Sequence, residues 1–115
     1  MKNLQDRTKR FALDVIRFSR QIPKNTEGWV IRKQLLRSAT SVGANYRAAC
    51  QAHSRKAFIA KLSIVVEEAD ESQFWLEMLD DLGFGSNSQR RHLLQEAREL
   101  ASIMIASKKT ARRNL

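Results

Sequence analysis

The sequence predicts an all-α protein: an up-down-up-down antiparallel four-helix bundle, forming one domain over residues 1–115. Three observations lead there. One proline and four glycines in 115 residues leave little punctuation, and strands joined by turns need those residues. Apolar residues recur at alternating spacings of three and four in four separate segments, the period of one helix face. Helix-starting and helix-stopping residues fall between these segments, and the short connections imply antiparallel neighbours.

The first helix is predicted from about Asp6 to Gln21, with Phe11, Val15, Phe18 and Ile22 on one face. Pro23 stops it, because a proline pushes the residue before it out of the α region. The second helix begins near Thr26 as N-cap and carries Ile31, Leu35, Ser38, Val42, Asn45, Ala49 and Ala52. This stripe passes unbroken through "RSATSVGANYRAA", Arg37 to Ala49. The composition of that stretch suggests a loop, but its spacing makes it helix interior. Gly43 costs a helix interior up to about 1 kcal/mol relative to alanine, a cost more easily tolerated where a neighbouring backbone comes close.

The third helix starts near Ser54. Its core stripe is Phe58, Leu62, Val65, Ala69, Ser72, Leu76 and Leu79, flanked by Ile64, Glu68, Glu71, Trp75, Met78 and Leu82. Gly83 stands where a left-handed C-cap is wanted. The fourth helix opens with Ser86 and Gln89 at capping-box spacing and continues through Leu93, Ala97, Leu100 and Met104. The basic end, residues 108–115, is expected to fray.

"LLRSATSVGANYRAA" and "SRKAFIAKLSIVVEEADESQFWLEML" together resemble the four-helix-bundle family named after the 23S rRNA intervening-sequence protein. The second-helix pattern R-S-x-x-S-[IV]-x-x-N falls on Arg37, Ser38, Ser41, Val42 and Asn45. The third-helix pattern falls on Phe58, Leu62-Ser63-Ile64, Glu68, Glu71 and Phe74-Trp75-Leu76. The resemblance spans about Phe11 to Leu100 and is densest from Leu35 to Leu82. It implies a small bundle assembled into a ring-shaped homopentamer. Some members are encoded within insertions in large-subunit rRNA genes, and a similar bundle is the accessory variability determinant that partners a reverse transcriptase. No catalytic residues come with the resemblance. Ala48, Ala57 and His53 stand where family members often have acidic residues, which makes the turn between helices two and three more basic.

Charge is unevenly spread. The chain has net charge +9 and a pI near 10.5, an electrostatic signal for polyanions. Residues 1–61 hold 14 basic and 3 acidic residues; residues 62–89 hold 7 acidic and no basic; residues 90–115 hold 7 basic and 2 acidic. In an up-down-up-down bundle the start of helix one, end of helix two, start of helix three and end of helix four share one pole. That pole is predicted to gather Arg7, Lys9, Arg10, Arg47, Arg55, Lys56, Lys61, Lys108, Lys109, Arg112 and Arg113, with Asp6 as its only nearby acid. The expectation is nucleic-acid binding to RNA or DNA phosphate backbones with little sequence reading. No aromatic platform accompanies the cluster; Tyr46, the nearest ring, is expected to be half-packed.

The alternative is a protein-interaction scaffold, or an accessory subunit of a nucleic-acid enzyme such as a reverse transcriptase. Leu13, Ile16, Val30, Leu36, Ile59, Val66, Phe74, Ile103 and Ile105 lie off the main stripes, and residual apolar surface marks interfaces. A polar set also faces inward: Arg37, Ser38, Ser41 and Asn45 on helix two, and Glu68, Glu71 and Ser72 on helix three. Counting from the turn near His53, Arg37 is expected to pair with Glu68 or Glu71. Asn45 is expected to bond across the seam through Ser63 or a neighbouring backbone and to fix register.

No catalytic, cofactor or metal residues are expected, and the chain is read as a non-enzyme. His53 and His92 stand in no metal-ligand spacing. Glu68 and Glu71 lack the Glu-x-x-His pairs of di-iron bundles. Cys50 reads as a small packed residue, and "GANYR" lacks the phosphate-loop glycines and lysine. One cysteine excludes an intramolecular disulfide and suits a reducing cytoplasm. No apolar run approaches the roughly 20 residues of a membrane span, and no secretory h-region follows "MKNLQDRTKR".

Overall fold

The computed structural model describes residues 2–115. These form four α-helices: α1 (Lys2–Ser19), α2 (Thr26–Cys50), α3 (Arg55–Leu82) and α4 (Asn87–Arg113). No strand occurs among the described residues.

Local chemistry sets the helix ends. α1 starts before the expected Asp6 because Leu4 packs against the core and the Thr8 hydroxyl donates back to the Leu4 carbonyl at 2.8 Å. After Ser19 the chain tightens: the Gln21 amide donates to Phe18 O at 2.9 Å and the Ile22 amide to Ser19 O at 3.1 Å. Asn25, not Thr26, caps α2, its Oδ1 accepting from the Gly28 amide at 2.9 Å. A Cβ on Gly28 would lie 1.9 Å from the Pro23 carbonyl oxygen, so the entry to α2 admits only glycine. Ser54 caps α3 by accepting from the Ala57 amide at 3.0 Å. Gly83 closes α3 in the left-handed region at φ 69°, where only glycine sits without strain. Ser86 caps α4 through the Gln89 amide.

Each helix turns one apolar face inward. Phe11, Val15 and Phe18 meet Leu35, Val42 and Tyr46, Leu62, Val65 and Leu76, and Leu93, Leu100 and Met104 in one core. α1 packs on α2 and α4, α2 on α3, and α3 on α4, closing a four-helix bundle whose α1–α4 seam is the thinnest. The result is a rod of 47 × 20 × 20 Å. On α2 the buried face runs Leu35, Ser38, Ala39, Val42, Tyr46, Ala49. Tyr46 therefore takes the core position expected of Asn45 and is fully buried rather than half-packed. At the α2–α3 seam Ser38, Ala39, Ala69 and Ser72 are all 0% exposed; their small size lets the two backbones approach. Residues 108–113, expected to fray, continue α4 as helix, with Ala111 buried.

Candidate functional site

The cations expected at the basic end come from all four helices. Between α1 and α2 runs a groove of about 460 Å³. Its floor is Ala12, Gly43 and Ala44, and Lys9 and Arg47 flank it. Gly43 has no side chain, which lets the α1 backbone come close: a Cβ there would lie 3.4 Å from the Thr8 carbonyl oxygen. Asp6 lines the same groove, as expected of the nearest acid. Arg55 and Lys56 occupy the first turn of α3, exposed, one short connection beyond α2; Lys61 is half-buried a turn later. From the α3–α4 turn, Glu77 meets Arg98 at 3.6 Å, and further along Val66 and Ile105 line one groove. The last turns of α4, with Lys108, Lys109, Arg112 and Arg113, thus lie toward the first turns of α3.

Arg7 departs from the expectation. Its guanidinium grips Glu96 with two hydrogen bonds of 2.8 Å and Glu99 with one of 2.9 Å. Asp6 is therefore not the only acid near this end: α4 supplies two carboxylates a turn apart on the side facing α1. The Glu96 hydrogen bond holds the Arg7 pKa above its ordinary value. Hydrogen bonds from Gln95 and then Arg7 hold Glu99 below its own. Arg7 is an α1–α4 tie, not a free cation. Arg10 turns to the same side, lining the α1–α4 groove with Glu96 and His92. Among the described residues the other ten expected cations, Arg10 included, make no ion pair.

The polar seam is partly as expected. Arg37 reaches from α2 to α3, bonding Glu68 at 2.8 Å and pairing with Glu71. The Arg37 side chain is half exposed and Glu68 is the better covered partner, so the pair lies at the mouth of the seam rather than in the core. Beneath it the Ser72 hydroxyl donates to Ser38 Oγ at 2.9 Å, both fully buried. Asn45 does not cross the seam. Its Nδ2 donates to Ser41 O at 3.0 Å and Ser41 Oγ at 2.8 Å within α2, and Ser63 bonds Ile59 O within α3. Ser38 and Arg37, not Asn45, make polar contacts from α2 to α3. Nearby, burial and then the Cys50 side chain hold the Tyr46 phenol above its ordinary pKa of 10.0.

One residue outside the predicted set is decisive for the other end. Arg90 is 1% exposed. Its guanidinium donates to Asp80 Oδ1 at 2.8 Å, to Phe84 O at 2.7 Å and Gly85 O at 3.0 Å, and to Asn87 Oδ1. The signal was available: Arg90 continues the Leu93, Ala97, Leu100, Met104 stripe one turn earlier. A charge on an apolar stripe asks for a paired, buried role.

The family model described as 23S rRNA-intervening sequence protein matches residues 3–106. The chain belongs to that family. It is also similar, at 34% identity and a TM-score of 0.84, to a crystal structure from Bacteroides thetaiotaomicron. That structure is described as a protein with unknown function from the S23 ribosomal protein family; the match covers 92% of this chain and 98% of that one. No curated protein matches the chain. In this 23S rRNA-intervening sequence family member, the stretch from Arg37 to Asn45 has a structural account. Ser38 and Val42 face the core, Arg37 ties α2 to α3, and Asn45 donates to Ser41 one turn back within α2. Among the described residues no cluster of three or more His, Cys, Asp or Glu is placed to hold a metal ion, and no helix is long and apolar enough to cross a membrane.

Proposed function

We propose that this family member binds nucleic-acid backbones, RNA or DNA, through its basic end, as an up-down-up-down bundle without catalytic chemistry of its own. The α1–α2 groove between Lys9 and Arg47 is the track for one strand of phosphates. Arg55, Lys56 and the α4 end extend the cationic surface around it. The observation that carries the reading is that ten of the eleven expected cations make no ion pair among the described residues, while Arg7 makes three close contacts to carboxylates. Cations held for structure find carboxylates; cations left open meet water or an external anion. The Tyr46 ring is buried, so it offers no stacking platform and the contact reads backbone charge rather than bases.

The chain works in the cytoplasm as a ring of copies, a pentamer by family resemblance. The apolar residues Val30, Ile64, Met78 and Leu82 are 36–54% exposed, which supports self-association and equally a second reading, a scaffold for a nucleic-acid enzyme such as a reverse transcriptase. A ring repeats weak phosphate contacts and multiplies them.

Anisotropy titrations of labelled RNA and DNA duplexes against salt test the first reading. Affinity is expected to fall linearly on a log–log plot, by about 0.9 per phosphate contacted. Lys9→Glu with Arg47→Glu should flatten that slope, while Arg7→Ala should change it less. No binding at low salt, or a flat dependence, overturns nucleic-acid binding. Light scattering in the same buffers gives the subunit number, and a strict monomer overturns the ring.

A further inference from the structure

The α3–α4 face has the opposite character to the basic end. Glu67, Asp70, Phe74, Glu77 and Asp81 recur at spacings of three, four, three and four, one stripe along α3. All five are exposed; Phe74 is 50% exposed with a carboxylate one turn away on either side. Between this stripe and α4 runs a groove of about 450 Å³. Val66, Glu67, Asp70 and Gln73 form one wall and Arg98, Ala101, Ser102 and Ile105 the other. Ala101 and Ser102 are small, so the trough has room for side chains from outside. Ile105 is 44% exposed at its edge.

Charge on this face is mostly acidic, with Arg98 as the cation on the α4 wall. Glu68, Glu71 and Asp80 are held by Arg37 and Arg90. Glu67, Asp70 and Asp81 make no ion pair among the described residues, and Glu77 meets Arg98 at 3.6 Å with both half exposed. Unpaired carboxylates around an exposed ring are a local inversion on a chain of net charge +9. An apolar centre with a charged rim is the anatomy of a protein interface.

We infer that this face docks a basic amphipathic helix of a partner protein. Its apolar residues enter the groove against Val66 and Ile105 and cover the exposed Phe74 on the adjoining stripe, and its lysines or arginines meet Glu67, Asp70, Glu77 and Asp81. Charge complementarity chooses the occupant. The acidic rim repels a polyanion, and a neutral or acidic helix would strip water from the carboxylates without pairing them. The stripe from Glu67 to Asp81 is about 21 Å long at the helical rise, or four turns of a partner helix. The inference does not rest on nucleic-acid binding, which uses another surface.

The test uses the full chain and a labelled synthetic peptide of about 18 residues, leucines on one helical face and lysines on the other. A scrambled peptide of the same composition and a glutamate-for-lysine peptide are the controls. The net charge of the protein repels the basic peptide overall, so binding reports a local site. Wild type is expected to bind the amphipathic basic peptide and neither control. Phe74→Ala should weaken it by about tenfold or more. Glu67→Lys with Asp70→Lys should abolish it, with circular dichroism and RNA binding retained in both variants. Retained RNA binding with lost peptide binding separates this face from the basic end. Equal binding by the variants or by the scrambled peptide overturns the inference. So does a change of oligomer mass in either variant, which would show a second copy covering the face.

Discussion

A buried guanidinium needs a full set of acceptors, and Arg90 finds its set within the turn that precedes it. Asp80 comes from the end of α3, Phe84 and Gly85 lend carbonyls, and Asn87 closes the ring from the start of α4. Truncation to Ala would strand those acceptors in a covered site. Arg90→Ala should therefore cost about 3 kcal/mol in urea unfolding, since removing one partner of a buried pair leaves the others unmatched. The same contact makes acid a probe. The Arg90 hydrogen bond, with smaller help from Arg91, holds Asp80 below its ordinary 3.8. A depressed carboxylate contributes stability that is complete above its unfolded pKa and lost as pH falls through the folded one. Thermal midpoints should therefore drop as pH is lowered below 3.8, and Asp80→Asn should remove part of that dependence. An unchanged acid slope in Asp80→Asn would assign the loss to other carboxylates.

At the scale of the helix, α2 and α3 meet through small residues, and that closeness decides what they tolerate. Ala69 and Ala39 are 0% exposed beside the Ser38–Ser72 hydrogen bond. Ala69→Leu should destabilise by about 1–3 kcal/mol through overpacking. Asn45→Ala should cost under about 1 kcal/mol, because it removes bonds made only within α2; chemical denaturation of the two variants side by side checks the contrast. These elements also show what a sequence exposes to reading. The stripes of Phe11, Val15 and Phe18 or of Leu93, Ala97 and Leu100 were legible because apolar burial follows the helical period. Arg37 with Glu68 was legible because distance from a turn fixes which residues face each other across it. Tyr46 and Asn45 were exchanged because adjacent residues differ by about 100° around a helix and a stripe can step by four before three. The Arg7 tie was hidden because Glu96 and Glu99 are 89 and 92 residues away, and the lateral tilt of α4 against α1 is a tertiary quantity. Arg90 was visible on its stripe, but its acceptors are carbonyls of a turn whose path no spacing reveals.

For the whole molecule, the ring of helix contacts is unequal. α3 packs extensively on both neighbours, while α1 has a thin seam with α4 stitched by Arg7 and by the Gln21–Gln89 bond. Local opening begins where least apolar surface is held. Hydrogen exchange should therefore show the slowest amides in the middle of α3 and faster exchange in the first turns of α1, with Arg7→Ala accelerating α1 selectively. Uniform protection in all four helices would contradict that order. The family resemblance and the fold were both readable from the chain; the division of its cations into one structural tie and ten open charges was not, because it depends on which carboxylates α4 turns toward α1.

The length of the rod has an electrical consequence. Fields in physiological salt decay over about 8 Å, whereas the molecule is 47 Å long. Along α3, Glu67 sits 12 residues beyond Arg55, about 18 Å at the helical rise. A charge at Arg55 is therefore largely screened from one at Glu67, whereas Lys108 stands only three residues from Ile105 at the groove edge. The net +9 conceals a local division between cationic helix ends and an anionic stripe on α3. The proposed nucleic-acid end and the proposed helix-docking face therefore carry separate salt dependences, each to be read in its own titration.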